Sequence, residues 1–266
     1  MKRILSLTIT ILVLCTSHTL MAQDKMTARE IVDNSYETTK LAGAEATSTM
    51  TIMDSKGRER VRKIAMVTKL FDGGETEKKL VRFLAPADVK GTGLLTFDYE
   101  VEDDDMWLYM PALRKTRRIV SSEKAKSFMG SEFSYADMTP PNLDDFGYNI
   151  LSEIEVNGTL CWEIEIIPND EDIADENGFS KKISYIGKED FVIRKAVYYD
   201  LDETLLKELT VHEFRLLDPE NMKYRPVNME MVNIQNDRKS FLVVNNIQFN
   251  PDVKDEYFTT RYLERE

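Results

Sequence analysis

Ala44-Glu45-Ala46-Thr47-Ser48-Thr49-Met50-Thr51-Ile52, followed after the turn Asp54-Ser55-Lys56-Gly57 by Ile64-Ala65-Met66-Val67-Thr68-Lys69-Leu70, decides the fold. Ala46, Ser48, Met50 and Ile52 alternate with three threonines, and Ile64, Met66, Thr68 and Leu70 keep the same period of two up to Asp72-Gly73-Gly74. A period of two places every second side chain on one face of a strand, and a short polar turn between two such runs makes a hairpin. The pattern recurs at Leu80 to Leu84, Met106 to Met110, Ile154 to Val156, Trp162 to Ile167, Lys181 to Ile186, Phe191 to Tyr199, Glu208 to Leu216, Val227 to Ile234 and Ser240 to Ile247. Turn signals such as Asn157-Gly158, Gly187-Lys188 and Asp218-Pro219 separate the later runs. Ten or eleven strands with hairpin-length links predict one large antiparallel meander, and a sheet of that size curls. The concave face of a curled sheet needs a cover.

Two segments are predicted to supply it. Thr27-Ala28-Arg29-Glu30 is a capping box, and Ala28, Ile31, Val32, Tyr36 and Thr39 recur at helical spacing through about Lys40. Between Ser121 and Tyr148 the alternation stops. Glu123 to Met129 and Phe133 to Met138 are expected as short helices around Gly130, before Thr139-Pro140-Pro141 ends them. No repeat or linker divides the chain, so residues 23–266 are expected to form a single domain of mainly β (α+β) class.

Residues 1–22 read as a secretory signal: Lys2 and Arg3, an apolar run from Ile4 to Leu14, and Ala22 as the small residue for cleavage. The apolar run is shorter than the roughly 20 residues of a membrane span. Export to the periplasm follows. Leu12-Val13-Leu14-Cys15 resembles a lipoprotein box, although Leu14 is large for the position before the cysteine. Cleavage near Ala22 is the preferred reading and lipid anchoring at Cys15 the alternative. Loss of Cys15 leaves Cys161 alone, so stability rests on core and sheet.

The 266 residues carry 35 Lys+Arg against 47 Asp+Glu, a net charge of −12, and removal of Lys2 and Arg3 takes it to −14. Such a surface repels phosphate backbones and disfavours nucleic acid. Only His212 remains beyond the signal, and there is no CxxC pair, so no zinc site is expected. The acidic run Asp170 to Gly178 fails as an EF-hand, because Ile173 falls where the first acidic ligand belongs. Glu102-Asp103-Asp104-Asp105 reads as a solvated hairpin or a blocked sheet edge. Gly91-Thr92-Gly93 lacks the lysine and spacing of a phosphate loop. No serine elbow is present, and a Cys161–His212 dyad is the one nucleophilic arrangement left. No cofactor and no enzymatic activity are expected.

Asp105 to Ile119 is unusual in so acidic a chain. The apolar run Met106-Trp107-Leu108-Tyr109-Met110 leads directly into Arg114, Lys115, Arg117 and Arg118. One reading is an exposed basic strand paired with neighbouring acids. The other is a mouth where the arginines meet an anionic head group or a partner while the aromatic and methionine side chains meet an apolar tail.

The order Gly91-Thr92-Gly93, Trp107-Leu108-Tyr109-Met110-Pro111, Arg114, Arg117-Arg118-Ile119, and Ser127-Phe128-Met129-Gly130-Ser131-Glu132-Phe133-Ser134-Tyr135-Ala136-Asp137-Met138 resembles the outer-membrane lipoprotein-sorting protein family. These are relatives of the periplasmic lipoprotein carrier LolA. Glu132 and Ala136 stand where the pattern has Asp and Glu. The resemblance implies a LolA/LolB-like half-barrel of one curved antiparallel sheet, closed by the N-terminal helix and the inserted helices, with a hydrophobic cavity for the acyl chains of a lipoprotein or lipid. Met106, Trp107, Leu108, Tyr109, Met110, Phe128, Met129 and Phe133 are the expected cavity residues, and Arg114, Arg117 and Arg118 the expected head-group or partner contacts. Eleven methionines beyond the signal suit a space that must accept irregular tails. The resemblance also suggests an alternative, a non-enzymatic accessory or interaction module of an inner-membrane exporter of the resistance-nodulation-division type; a monomer is expected under either reading.

Overall fold

A computed structural model describes residues 26–100, 102–250 and 252–265. The expected signal and Cys15 lie outside these. Helix α1 (Ala28–Glu37) begins at the anticipated capping box: Thr27 and Glu30 each accept the other's backbone N–H in their side chains. It ends before Lys40, where Thr38 forms the C-cap. Ala28, Ile31, Val32 and Ser35 make its buried stripe.

Thirteen strands follow: β1 (Gly43–Met53), β2 (Glu59–Phe71), β3 (Thr76–Ala85), β4 (Gly93–Tyr99), β5 (Asp105–Met110), β6 (Lys115–Arg118), β7 (Phe146–Val156), β8 (Thr159–Pro168), β9 (Lys181–Gly187), β10 (Ile193–Tyr199), β11 (Leu205–Asp218), β12 (Lys223–Asn233) and β13 (Arg238–Phe249). This corrects the expected ten or eleven. The two additions are β4, whose first four residues are all buried and show no alternation, and β6, four residues with three positive charges. All pair antiparallel in one open sheet of order β6-β5-β4-β3-β2-β1-β13-β12-β11-β10-β9-β8-β7. The architecture is the expected half-barrel, mainly β, with four short helices.

The order has one consequence. Consecutive strands are neighbours everywhere except between β6 and β7, which form the two opposite edges. Residues 119–145 must therefore cross from one edge to the other. They do so as a strap over the inner face. Phe128 packs on Phe83 of β3 with ring centroids 5.8 Å apart. Arg62 of β2 donates to the Met129 carbonyl at 2.5 Å, and Arg238 of β13 to the Gly130 carbonyl at 2.9 Å. The Glu132 amide donates to Ser240 Oγ at 2.9 Å, and Lys207 of β11 pairs with Asp137 at 3.0 Å.

The strap is less helical than its sequence suggested. In place of helices over Glu123–Met129 and Phe133–Met138 stand α2 (Ser121–Lys124) and a 3₁₀ turn at Ala136–Met138, with a further 3₁₀ turn at Leu143–Asp145. Serine side chains compete for the backbone. Ser127 and Ser131 hydroxyls donate to the Ser131 and Phe128 carbonyls, and Ser134 exchanges bonds with Asp137. Met129 (φ 52°) and Gly130 (φ 77°) both turn through the left-handed region, which a helix cannot contain. Helix α3 (Glu171–Asn177), between β8 and β9, receives the strap's first turn through Lys124 Nζ–Glu176 at 2.5 Å.

The inner face carries the main core, including Met50, Ile52, Ile64, Phe83, Leu94, Ile164 and Met231. A second, smaller core lies on the outer face. There Leu80, Leu95 and Tyr109 are covered by Val253, Phe258 and Leu263, the last on α4 (Thr260–Leu263).

The far end of the strap is fastened by an acid pair. Thr139 Oγ1 donates to Asp104 at 2.6 Å, and Lys124 Nζ lies 3.9 Å from the same carboxylate. Asp104 therefore belongs to a buried contact, which corrects the view of Glu102 to Asp105 as merely solvated. Burial, then the Asp104 charge, raise the Asp98 carboxyl well above the ordinary carboxylate range. A raised folded-state value means the folded chain holds a proton that the unfolded chain has released, so stability falls as pH rises through that interval. Asp98→Asn removes this loss. We expect the Tm gain of the variant to grow from about pH 4 toward mildly alkaline pH; a Tm difference independent of pH contradicts the raised Asp98 carboxyl. Leu263→Ala, at a fully buried position beside the C-terminus, is expected to cost about 3 kcal/mol in denaturant unfolding. A loss below about 1 kcal/mol would separate the terminal segment from the folded core.

Candidate functional site

Beneath the strap, where it passes β9 to β12, the core gives way to a cavity of about 290 Å³. Its ceiling is α1 through Tyr36, the turn after it through Thr39, and the strap through Phe133, Asp137 and Met138. Its floor is the inner face of the sheet: Ile166 on β8, Tyr198 on β10, Leu209 on β11, Met229 and Met231 on β12, and Leu242 on β13. Phe179 closes one side, stacked on Phe146 at 6.1 Å and edge-on to Tyr198 at 5.7 Å. These residues come together because each sits on the inward phase of its strand, the same phase that places Ile164 and Ile186 in the core.

The apolar walls carry a few ionised groups. Burial alone raises the Glu77 carboxyl, but Lys79, Arg225 and the Thr68 hydroxyl outweigh it and hold the group down at about 2. The Arg225 contact is 3.0 Å. Asp137 is held below its ordinary range in spite of burial by Lys207 and by the Ser134 amide and hydroxyl. Burial pushes the phenols of Tyr36, Tyr148 and Tyr198 up, so all three are neutral donors. Burial lowers Lys182 to about 8. The arrangement is a small apolar space with neutral hydroxyls and one weakly held cation, suited to binding an amphiphile.

The residues singled out in the sequence are placed as follows. Strand alternation divides Met106 to Met110 between two faces. Met106, Leu108 and Met110 point inward and pack in the main core, with Met106 fully buried. Trp107 and Tyr109 point outward into the second core, Trp107 edge-on to Phe97 at 5.0 Å. The five side chains therefore do not share one cavity. Phe128 lies in the strap against Phe83 and Tyr135, and Met129 packs beside the core at the strap's turn. Of the eight residues, only Phe133 borders the cavity.

Arg117 pairs with Glu123 at 2.7 Å and Arg118 with Asp105, so both have counter-ions within the chain. Arg114 is exposed in a left-handed turn after Pro111–Leu113. His212 faces Glu230 at 3.1 Å on β11, while Cys161 is buried on β8, three strands away. At about 4.8 Å per strand that separation is about 14 Å, too far for a dyad. Among the described residues no helix is long and apolar enough to cross a membrane.

The comparisons agree with this architecture. A protein-family model described as "Uncharacterized protein" matches residues 75–265. No curated protein matches the chain. Among solved structures, a protein domain assigned to outer membrane lipoprotein sorting from Vibrio parahaemolyticus superposes with a TM-score of 0.81 at 28% identity, covering 90% of this chain and 98% of that one. A DUF1329 family protein from Desulfovibrio piger gives 0.81 at 26% identity over 89% and 97%. A LolA superfamily protein from Nitrosomonas europaea gives 0.67 at 18% identity over 90% and 100%, a likeness of fold alone. The match over residues 75–265 places the chain in the family that this model describes, and the curved open sheet with its strap gives it the fold of the lipoprotein-sorting domain and of the LolA superfamily protein.

Proposed function

We propose that this protein is a periplasmic carrier that takes an acyl chain of a lipoprotein or lipid into the cavity under the strap and delivers it toward the outer membrane. The observation that carries the reading is the cavity itself: an apolar space kept between a rigid sheet and a removable cover. At roughly 30 Å³ per water-sized group, 290 Å³ gives room for at least ten or so non-hydrogen atoms. Burying that many methylenes at about 0.8 kcal/mol each supplies about 8 kcal/mol before ordering costs. A carrier needs no catalytic group, and release needs only a movement of the cover. The strap suits that task because side-chain bonds to several strands hold it in place of a strand ladder.

The alternative, a non-carrying module of an inner-membrane exporter, requires a filled interior, and the cavity weighs against it. The proposed contact set is Phe133, Leu209, Met229, Met231 and Leu242, with Met106, Leu108 and Met110 supporting the wall from the adjoining core. Met229 borders the cavity and is only partly buried, so Met229→Trp fills space that is present. We expect Met229→Trp to fold with wild-type circular dichroism and to bind a fluorescent acyl probe about tenfold or more weaker, the loss expected from excluding two or more methylenes. Unchanged affinity in the folded variant would place the acyl site elsewhere.

A further inference from the structure

Six charged side chains border the cavity: Lys40, Glu77, Lys79, Asp137, Lys182 and Arg225. Five have partners. Glu37 holds Lys40 at 2.5 Å, Glu77 and Arg225 hold each other, Lys207 holds Asp137, and Lys79 donates to the Met138 carbonyl at 2.7 Å. Lys182 is the exception. Among the described residues it makes no ion pair and no hydrogen bond; its ammonium sits 5.4 Å from the centroid of the Tyr198 ring. It lies on the inward phase of β9, between Ile166 of β8 and Tyr198 of β10 in register. The hydroxyls of Tyr36 and Tyr198 border the same space and likewise make no side-chain hydrogen bond among the described residues. The ammonium and the two hydroxyls thus border the cavity with no acceptor from the chain among the described residues, and an anion in that space would accept from all three.

We propose that the cavity receives the acid end of its ligand first: a single-chain carboxylate of medium length, with its carboxylate on Lys182 Nζ and the Tyr36 and Tyr198 hydroxyls and its chain along Phe133, Leu209 and Met229. The inference rests on the acyl-carrier reading and narrows it to one class of ligand. Charge selects the carboxylate: one unpartnered ammonium balances one singly charged acid, and a short single-chain acid such as octanoate fits within the space. Asp137 on the strap is already committed to Lys207 on β11, and Tyr198 on β10 and Tyr36 on α1 stay neutral, so the incoming acid meets one available cation. Burial and Lys207 weaken that cation, Asp137 partly restores it, and it loses its proton near pH 8. Carboxylate affinity should therefore be level at neutral pH and fall above about pH 8.

The test compares octanoate with octan-1-ol by isothermal titration on the wild-type mature chain and on Lys182→Met. We expect wild type to prefer the acid by about tenfold or more, since a charge-assisted hydrogen bond contributes about 1.5–3 kcal/mol. Lys182→Met, which replaces the ammonium with an apolar group of similar length, should erase that preference by weakening octanoate binding about tenfold or more. Equal binding of acid and alcohol by wild type overturns the proposal without any variant and leaves the carrier reading standing. So does a folded Lys182→Met that keeps the preference. Failure of wild type to bind either compound contradicts the carrier reading itself.

Discussion

The pairing of β1 with β13 is the constraint on which the rest of the structure depends. It sets the first and last strands side by side in the middle of the sheet and sends β6 and β7, consecutive in the chain, to opposite edges. Thirteen strands at about 4.8 Å spacing would be about 58 Å wide if flat. The link between the edges must then cross the sheet, and residues 119–145 do so over the face that carries the core. The cover is thus a product of the topology and needs no separate domain. Where the strap presses on β2 and β3, through Phe128 and Met129, the interior is packed dry. Where it passes β9 to β13 it rests on the Asp137–Lys207 ion pair and the Ser240 bond, and the space below stays unfilled.

That division accounts for the electrostatics. Ion pairs shielded from water are poor sources of net stability but penalise wrong partners, because a lone buried charge is expensive. Glu77–Arg225 and Asp137–Lys207 tie β3 to β12 and the strap to β11, fixing the two sides of the cavity. The acid pair Asp98 and Asp104 fastens the end of the same strap through Thr139. The cover is held mainly by polar contacts, which loosen when their partners change, while the floor is held by a continuous strand ladder. Rigid floor and yielding cover are what loading and release require.

Much of the fold was legible because hairpins are local. Alternation in Ala46 to Ile52 and in Ile64 to Leu70 identifies the inward residues, and Thr27 with Glu30 marks the start of α1. Strand β4 was missed because Gly93 to Thr96 is buried on both faces and has no period, and β6 because Lys115 to Arg118 is short and charged. The strap was misread as helical because its pattern is local but its backbone is governed by serine side chains and by contacts more than a hundred residues away, such as Ser240.

The cavity was hardly legible, since its walls come from α1, β3, the strap and β7 to β13. The aromatic run at Met106 to Met110 drew attention by its composition, yet alternation sends Trp107 and Tyr109 to the outer core. The better signal was a cation on an inward phase. Lys182 shares its face with Ser184 and Ile186, and Lys79 shares its face with Val81 and Phe83. A lysine on the core side of an alternating strand has a reason to be there.

The central claim is that an acyl chain lies between the strap and the sheet. The most direct measurement is a crystal structure of residues 23–266 grown with a saturating single-chain carboxylate. The account predicts ligand density beneath Phe133, running over Leu209 and Met229, with its polar end at Lys182. Ligand density confined to the outer face of the sheet, or a cavity that stays empty at saturation in solution, would contradict it.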